Sequence, residues 1–246
     1  MVMPLWDDNP FVKTKKPWIT WGLIIINTIV FALEFANGDD AAEQIFKSFA
    51  LTPVSLTHPT SVISLPTDLT LITYMYLHAD IFHLLGNMIF LFVFGDDIEE
   101  ALGPFRYIVF YHACGIAGAL AFAASGPQSA VPLVGASGAI SGVIAAYLML
   151  RPCAKIRVLL FWFVFKLDAF WVIGSWALLQ LLHLASSSSD EVAYWCHIGG
   201  LAAGAALFPF MRLPGVELFE CIEHRDQYPP FDNTTWPGGP REPTVR

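Results

Sequence analysis

The sequence predicts an all-α, polytopic membrane protein built as a bundle of six transmembrane helices, and three observations carry that prediction. Its 246 residues are 55% hydrophobic and only 14% charged, with a mean hydropathy of +0.56, whereas soluble domains carry about 25% charged residues. The apolar residues gather into long runs separated by polar loops. The basic residues then fall on alternate loops, as the positive-inside rule requires of a multi-span chain. The formal charge of −8 argues against a nucleic-acid partner, and the acidic excess sits mainly in loops and tail. No internal repeat is visible.

The elements follow in order. Residues 1–16 are polar, with Lys13, Lys15 and Lys16, and form a cytoplasmic N-terminal segment. The apolar run behind them is too long for a signal peptide and lacks a cleavage site, so it is a span. Within a membrane domain of residues 17–212, spans are expected at 18–35, 82–94 (continuing as helix to Ala101), 107–123, 137–150, 169–185 and 192–210. The second and fourth are shorter than the roughly 20 residues that cross a bilayer, so neighbours must shield them or water must reach them. Short central helices imply a cavity. The long loop between spans one and two, rich in Pro, Thr and Ser and dotted with Phe, Leu and Ile, suits a structure half sunk in the outer interface. Residues 158–165 are also apolar and are expected either at the interface or as the end of a longer fifth span. Residues 213–246 turn polar and proline-rich and are expected as a disordered cytoplasmic tail.

Orientation follows from the charges. Arg106, Arg151, Lys155, Arg157 and Arg212 share one side with the N-terminal lysines, and the opposite loops hold only Lys47. Both termini are therefore expected in the cytoplasm. With no targeting presequence visible, a bacterial inner membrane is the expected location. The four cysteines, Cys114, Cys153, Cys196 and Cys221, show no CxxC spacing, so they read as small apolar packers and not as a disulfide framework or zinc cage.

That topology sorts the polar residues by depth. Asp80 is placed to cap the second span, which puts His83 and Asn87 in its first two turns on one face. Ser137 stands at the start of the fourth span, inside Gly135-Ala136-Ser137-Gly138, where glycines let backbone approach closely and the first helix amides face any developing negative charge. His197 falls about a turn and a half into the sixth. Four polar side chains at one depth on three helices point to an interior site, because polar groups in a membrane are costly and face cavities. The glycines also fit a small-residue packing stripe through Gly138 and Gly142.

The set suits acyl transfer. A serine hydroxyl becomes a nucleophile when a neutral imidazole takes its proton, and Ser137 with His197 supplies that pair. The Ser137 backbone amide and the Asn87 side chain would hold the oxyanion, with His83 as a further donor. No carboxylate lies at that depth, since Asp190 and Glu191 read as solvated charges at the mouth of span six, so the arrangement is a dyad. Ser141, one turn deeper, is a rival nucleophile without the helix-terminal position. His78 and His83 are five residues apart, not the four that put two ligands on one helical face, so no metal is expected. His112 and His183 read as packing or interfacial residues, and His58 and His224 as loop and tail.

Gly135-Ala136-Ser137-Gly138, the spacing His78-x4-His83-x3-Asn87, and His197-Ile198-Gly199-Gly200 together resemble the rhomboid intramembrane serine proteases. Gly95, Glu99 and Gly103 match that family's Gly-x3-Glu-x3-Gly pattern at the inner end of span two. The resemblance covers nearly the whole membrane part and implies a Ser137–His197 dyad, oxyanion roles for His83 and Asn87, structural roles for Gly135, Gly138, Glu99 and Gly200, and no cofactor. It implies an endopeptidase that cuts in or near the transmembrane segments of single-span proteins within the lipid bilayer. Three departures stand out. Ser141 occupies the position where many members carry an aromatic that stacks on the histidine, Cys196 replaces a smaller residue, and the loop after span one has neither tryptophan nor arginine. The alternative is a non-catalytic binding or chaperone module on the same scaffold; a transporter would show inverted repeats with paired broken helices.

Overall fold

The computed structural model describes residues 2–7, 16–36, 38–57, 67–160, 162–185 and 193–221. The chain runs through strand β1 (Val2–Asp7), helix α1 (Trp18–Phe35), three short helices α2 (Asp39–Phe49), α3 (Pro53–Thr57) and α4 (Thr67–Thr73), and a 3-10 turn at Tyr74–Tyr76. There follow α5 (Ile81–Leu102), α6 (Pro104–Ser125), α7 (Ser137–Leu150), strands β2 (Lys155–Leu160) and β3 (Phe163–Asp168), α8 (Ala169–Ala185) and α9 (Tyr194–Met211). All six apolar segments expected from the sequence are helices, three of them with the expected ends. By length and composition α1, α5 and α6 can each cross a membrane, while α7 and α8 are shorter apolar helices.

Helix ends follow local chemistry. Asp80, in an extended conformation, accepts hydrogen bonds from the amides of Phe82 (2.7 Å) and His83 (2.9 Å), which starts α5 where its first free donors need an acceptor. At the far end Gly103, at φ 76°, closes α5 in a conformation that costs a side chain dearly, and Pro104 opens α6 at a position where its missing N–H is no loss. Glu99 ties the next layer. Its buried carboxylate accepts from the amides of Ile19 (3.0 Å) and Thr20 (2.8 Å) and from the Thr20 hydroxyl (2.8 Å), satisfying the first donors of α1. Gly95, one turn earlier, leaves room for the Tyr107 hydroxyl, which an added Cβ would meet at 2.8 Å.

Helix α7 is the centre. Every residue from Gly138 to Tyr147 is buried, so its 14 residues are wrapped by α5, α6 and α9 and need not span lipid on their own. Phe94 packs edge-on against Tyr147 (4.8 Å between centroids) and Phe110 against Phe208 (6.3 Å). Helices α1 and α8 stand outside this core. Ile25, Ile26, Ile29 and Leu33 on α1, with Leu178, Leu179, Leu181 and Leu182 on α8, are exposed apolar side chains, as lipid-facing surfaces require.

Three expectations need correcting. Of the two alternatives for residues 158–165, the end of a longer fifth span is excluded: β2 and β3 form an antiparallel hairpin, and β1 pairs with the other edge of β2. Lys155 bridges Asp168 across its open end, and Ile156 and Val158 bury one face of β2 in the core. The polar N-terminal segment thus supplies a strand, fixed further by Tyr147, whose hydroxyl donates to Asp7 (2.6 Å). The cysteines are not all packers, since a disulfide joins Cys153 to Cys221, with their Cα atoms 5.1 Å apart. The tail, expected to leave the bundle at 213, instead lies along its end to Cys221: Leu213 donates to the Ala101 carbonyl, Phe219 to that of Met149, and Arg151 pairs with Glu220. Of the expected tail, 222–246 lie outside the described residues.

Candidate functional site

The chain reaches α7 through a turn that only glycine makes easily. Gly135 sits at φ 112°, and its amide donates to the Tyr74 carbonyl (3.0 Å). Ala136 is the cap residue and offers no side-chain acceptor. The helix therefore begins at Ser137 with amides that no capping side chain satisfies, the feature that draws negative charge to a helix start.

Ser137 Oγ lies 2.8 Å from His197 Nε2. That contact requires α7 and α9 to approach almost backbone to backbone. An added Cβ on Gly200 would lie 1.9 Å from the Gly138 carbonyl oxygen, and one on Gly204 would lie 2.3 Å from that of Gly142. On the other flank Gly118 of α6 faces the Cys196 carbonyl, which an added Cβ would meet at 2.6 Å. The small-residue stripe and the serine motif are thus one device, with the glycines closing the seam and the hydroxyl facing out of it.

Helix α5 brings the other two predicted groups to the same turn. A Cβ on Gly135 would lie 2.6 Å from His83 Nε2 and 3.6 Å from Asn87 Nδ2, so both side chains border the backbone two residues before Ser137. Asn87 Nδ2 is buried and has no hydrogen-bond partner among the described residues. An unmet buried amide is expensive, and here it leaves a donor free beside Gly135. The structure brings Ser137, His197, His83 and Asn87 together, as the depth argument required. Asp190 and Glu191, set aside on the sequence, lie outside the described residues, as do His58 and His224.

Ser141 is occupied elsewhere: its hydroxyl donates to the Ser137 carbonyl (2.6 Å) and is fully buried. His112 Nε2 meets the Tyr76 hydroxyl (2.8 Å), and the His183 ring stacks on Tyr194 (5.2 Å, 1° between planes), so both are packing residues. His78 and His83 meet edge to face (5.2 Å between centroids). Among the described residues, no three His, Cys, Asp or Glu side chains gather as a metal site needs.

One residue at the site escaped the sequence reading. Gln180, on α8, places Oε1 3.1 Å from His197 Nδ1. The Trp176 ring (6.0 Å, 36° between planes) and the Tyr194 ring (6.5 Å, 87°) flank the same imidazole. A lone glutamine within Leu178-Leu179-Gln180-Leu181-Leu182 was the available signal, because an amide in a membrane span needs a partner.

The family model of the Rhomboid domain matches residues 67–213. The chain belongs to the rhomboid family. It is 27% identical over 238 residues to RHOMBOID-like protein 6, mitochondrial, of Arabidopsis thaliana, covering 86% of this chain and 74% of that one. It is 31% identical over 136 residues to Rhomboid protease GluP of Bacillus subtilis, covering 55% of this chain and 25% of that one. Over 80 residues it is 40% identical to Putative rhomboid protease YdcA of the same bacterium, covering 32% of this chain and 40% of that one. This rhomboid is accordingly a polytopic helical membrane protein of a family that includes proteases. Its relatives include mitochondrial and bacterial proteins, so they give the bacterial inner membrane no support over an organelle membrane.

The seam yields a test independent of chemistry. Gly200→Val forces α7 and α9 apart, and overpacking of this kind costs about 1–3 kcal/mol or more. Thermal unfolding in detergent is expected to show a clearly lowered midpoint. An unchanged midpoint would mean that the two backbones are not in contact.

Proposed function

We propose that this rhomboid is an intramembrane serine endopeptidase that cleaves peptide bonds in or near the transmembrane segments of single-span proteins. The 2.8 Å approach of Ser137 Oγ to His197 Nε2 is the observation that carries the reading. Imidazole takes the hydroxyl proton as oxygen attacks the scissile carbonyl, then returns it to the leaving amine, and water repeats the cycle on the acyl-enzyme. The Ser137 amide at the uncapped start of α7 and the free Asn87 Nδ2 stabilise the oxyanion, and His83 beside Gly135 adds a donor. Gly135, Gly138 and Gly200 keep the backbone where this geometry needs it, and Glu99 holds the opposite end of the bundle together.

The six apolar helices serve as six spans, with residues 17–221 as one membrane domain. We place both termini on the cytoplasmic side, because Lys16, Arg106, Arg151, Lys155, Arg157 and Arg212 lie at the end opposite Ser137. The Cys153–Cys221 bond at that same end weighs the other way, since disulfides are rare in the cytosol. Several charges outweigh one bond that can open to two thiols.

Three outcomes test the proposal. Ser137→Ala and His197→Ala are each expected to abolish cleavage of a transmembrane substrate and labelling by a fluorophosphonate, with the double variant no worse than either. Wild-type protein that never reacts with the probe, yet still captures membrane proteins, would favour a binding or chaperone module. Asn87→Ala should lower kcat by about one to three orders of magnitude with little change in KM, because the oxyanion exists only on the way to the intermediate; a raised KM at constant kcat would make Asn87 a substrate contact.

The substrate must also unwind. A peptide bond in a regular membrane helix has its carbonyl engaged, and each freed backbone group costs several kcal/mol in lipid. Cleavage is therefore expected near the outer face, in segments that glycine, proline or small residues weaken. Replacing those residues by leucine should slow it. Mass spectrometry that maps cleavage to the cytoplasmic end would contradict the orientation.

A further inference from the structure

The geometry points to Gln180 as the positioning residue that fixes the tautomer of His197, completing a Ser137–His197–Gln180 relay whose third member is a neutral amide in place of a carboxylate. This inference rests on the proposed dyad and names what holds its base. The sequence left that role open, because Ser141 stands where an aromatic would stack on the imidazole, and Ser141 is turned to the Ser137 carbonyl.

The argument is one of donors and acceptors. Gln180 Oε1 can only accept, so the His197 Nδ1 it faces at 3.1 Å must carry the proton. Nε2 of a neutral imidazole is then the lone-pair nitrogen. It is Nε2 that meets Ser137 Oγ at 2.8 Å, so the hydroxyl donates to it and the base is ready before substrate arrives. With Oε1 where it stands, the opposite tautomer would leave two lone pairs face to face at Gln180. Burial sharpens the choice: Gln180 and His197 are each only 8% exposed, so water offers little alternative to the bond.

Packing supports the same role. Gln180 sits on α8 between exposed leucines, Leu178, Leu179, Leu181 and Leu182, and is itself buried. One turn later on the same helix His183 lies flat on Tyr194, the first residue of α9, which joins the two helices beside the Gln180–His197 bond. Trp176, one turn earlier, lies over the imidazole from the other side. An amide partner also differs from a carboxylate in kind: it orients the ring without stabilising the imidazolium that forms as Ser137 gives up its proton.

The test combines kinetics, a pH profile and spectroscopy on the full chain in detergent or lipid. Gln180→Met keeps the side chain's length and removes the acceptor. It is expected to lower kcat about 10- to 100-fold, a part of the roughly 10²- to 10⁴-fold that a positioned base contributes, with KM changed less than about twofold. Gln180→Glu restores an acceptor and adds charge, so activity should recover toward wild type while the acid limb of the pH profile moves to higher pH, because a neighbouring carboxylate favours the protonated imidazole.

In wild-type protein, ¹⁵N NMR of labelled histidine, assigned by the signal lost in His197→Ala, should show His197 neutral with Nδ1 protonated. A Gln180→Met protein with wild-type kcat and pH profile would overturn the inference, as would a His197 protonated at Nε2. The NMR result decides the matter even if a Gln180 variant fails to fold. Activity that survives Ser137→Ala would instead sink the dyad, whereas failure of the Gln180 tests alone would leave it standing.

Discussion

Everything at the site depends on how closely two helix backbones can approach. Ser137 and His197 carry short reach: a serine Oγ stands one bond from Cβ, and an imidazole is rigid. Their 2.8 Å contact exists because Gly200 and Gly204 let the α9 backbone lie against the carbonyls of Gly138 and Gly142 on α7. In water such a seam would give up apolar burial, yet in lipid the comparison changes. Apolar side chains gain little by leaving lipid for protein, so backbone packing and polar contacts decide which helices associate. The environment that makes a buried polar cluster costly also makes glycine the natural residue to assemble it.

The second constraint is that a polar group in this setting must be satisfied or used. Glu99 spends its carboxylate on the first amides of α1, and Asp80 spends its own on the start of α5. Ser141 turns back to the backbone. Asn87 Nδ2 is among the buried side-chain atoms with no partner among the described residues, and it stands beside Gly135. Residue type alone does not assign a role: two serines one turn apart on α7 have opposite fates because one faces a histidine and the other a carbonyl.

How much of this could be read from the chain follows from the range of each signal. Apolar runs are local, so all six helices were legible, and α1, α7 and α8 had the expected ends. The cluster of Ser137, His197, His83 and Asn87 was legible because topology converts sequence position into depth. The sheet was not, since the run 158–165 has no period that separates a strand from a buried helix and its partner β1 lies some 150 positions away. Nor was the disulfide, whose cysteines are 68 residues apart and follow no motif. Gln180 falls between these cases. Its polarity among leucines was visible, but its partner was not, because the contact crosses from α8 to α9 and only the packing of those two helices brings Nδ1 to Oε1.

The length of α7 connects these points to function. At 14 residues it is about 21 Å long, against a hydrocarbon core of about 30 Å. Its far end is tied to the polar face by Arg151, which pairs with Glu220. On the orientation proposed above, Ser137 would stop roughly 9 Å short of the opposite boundary, below the membrane surface. If the proposed proteolysis holds, a longer α7 would carry the hydroxyl into bulk solvent, where a helical substrate segment does not reside, and a shorter one would bury it beyond hydrolytic water. Wrapping by α5, α6 and α9 is what permits the truncation, because a helix so short could not face lipid at its missing end without exposing unpaired amides. The uncapped start of α7 instead lies at the candidate site.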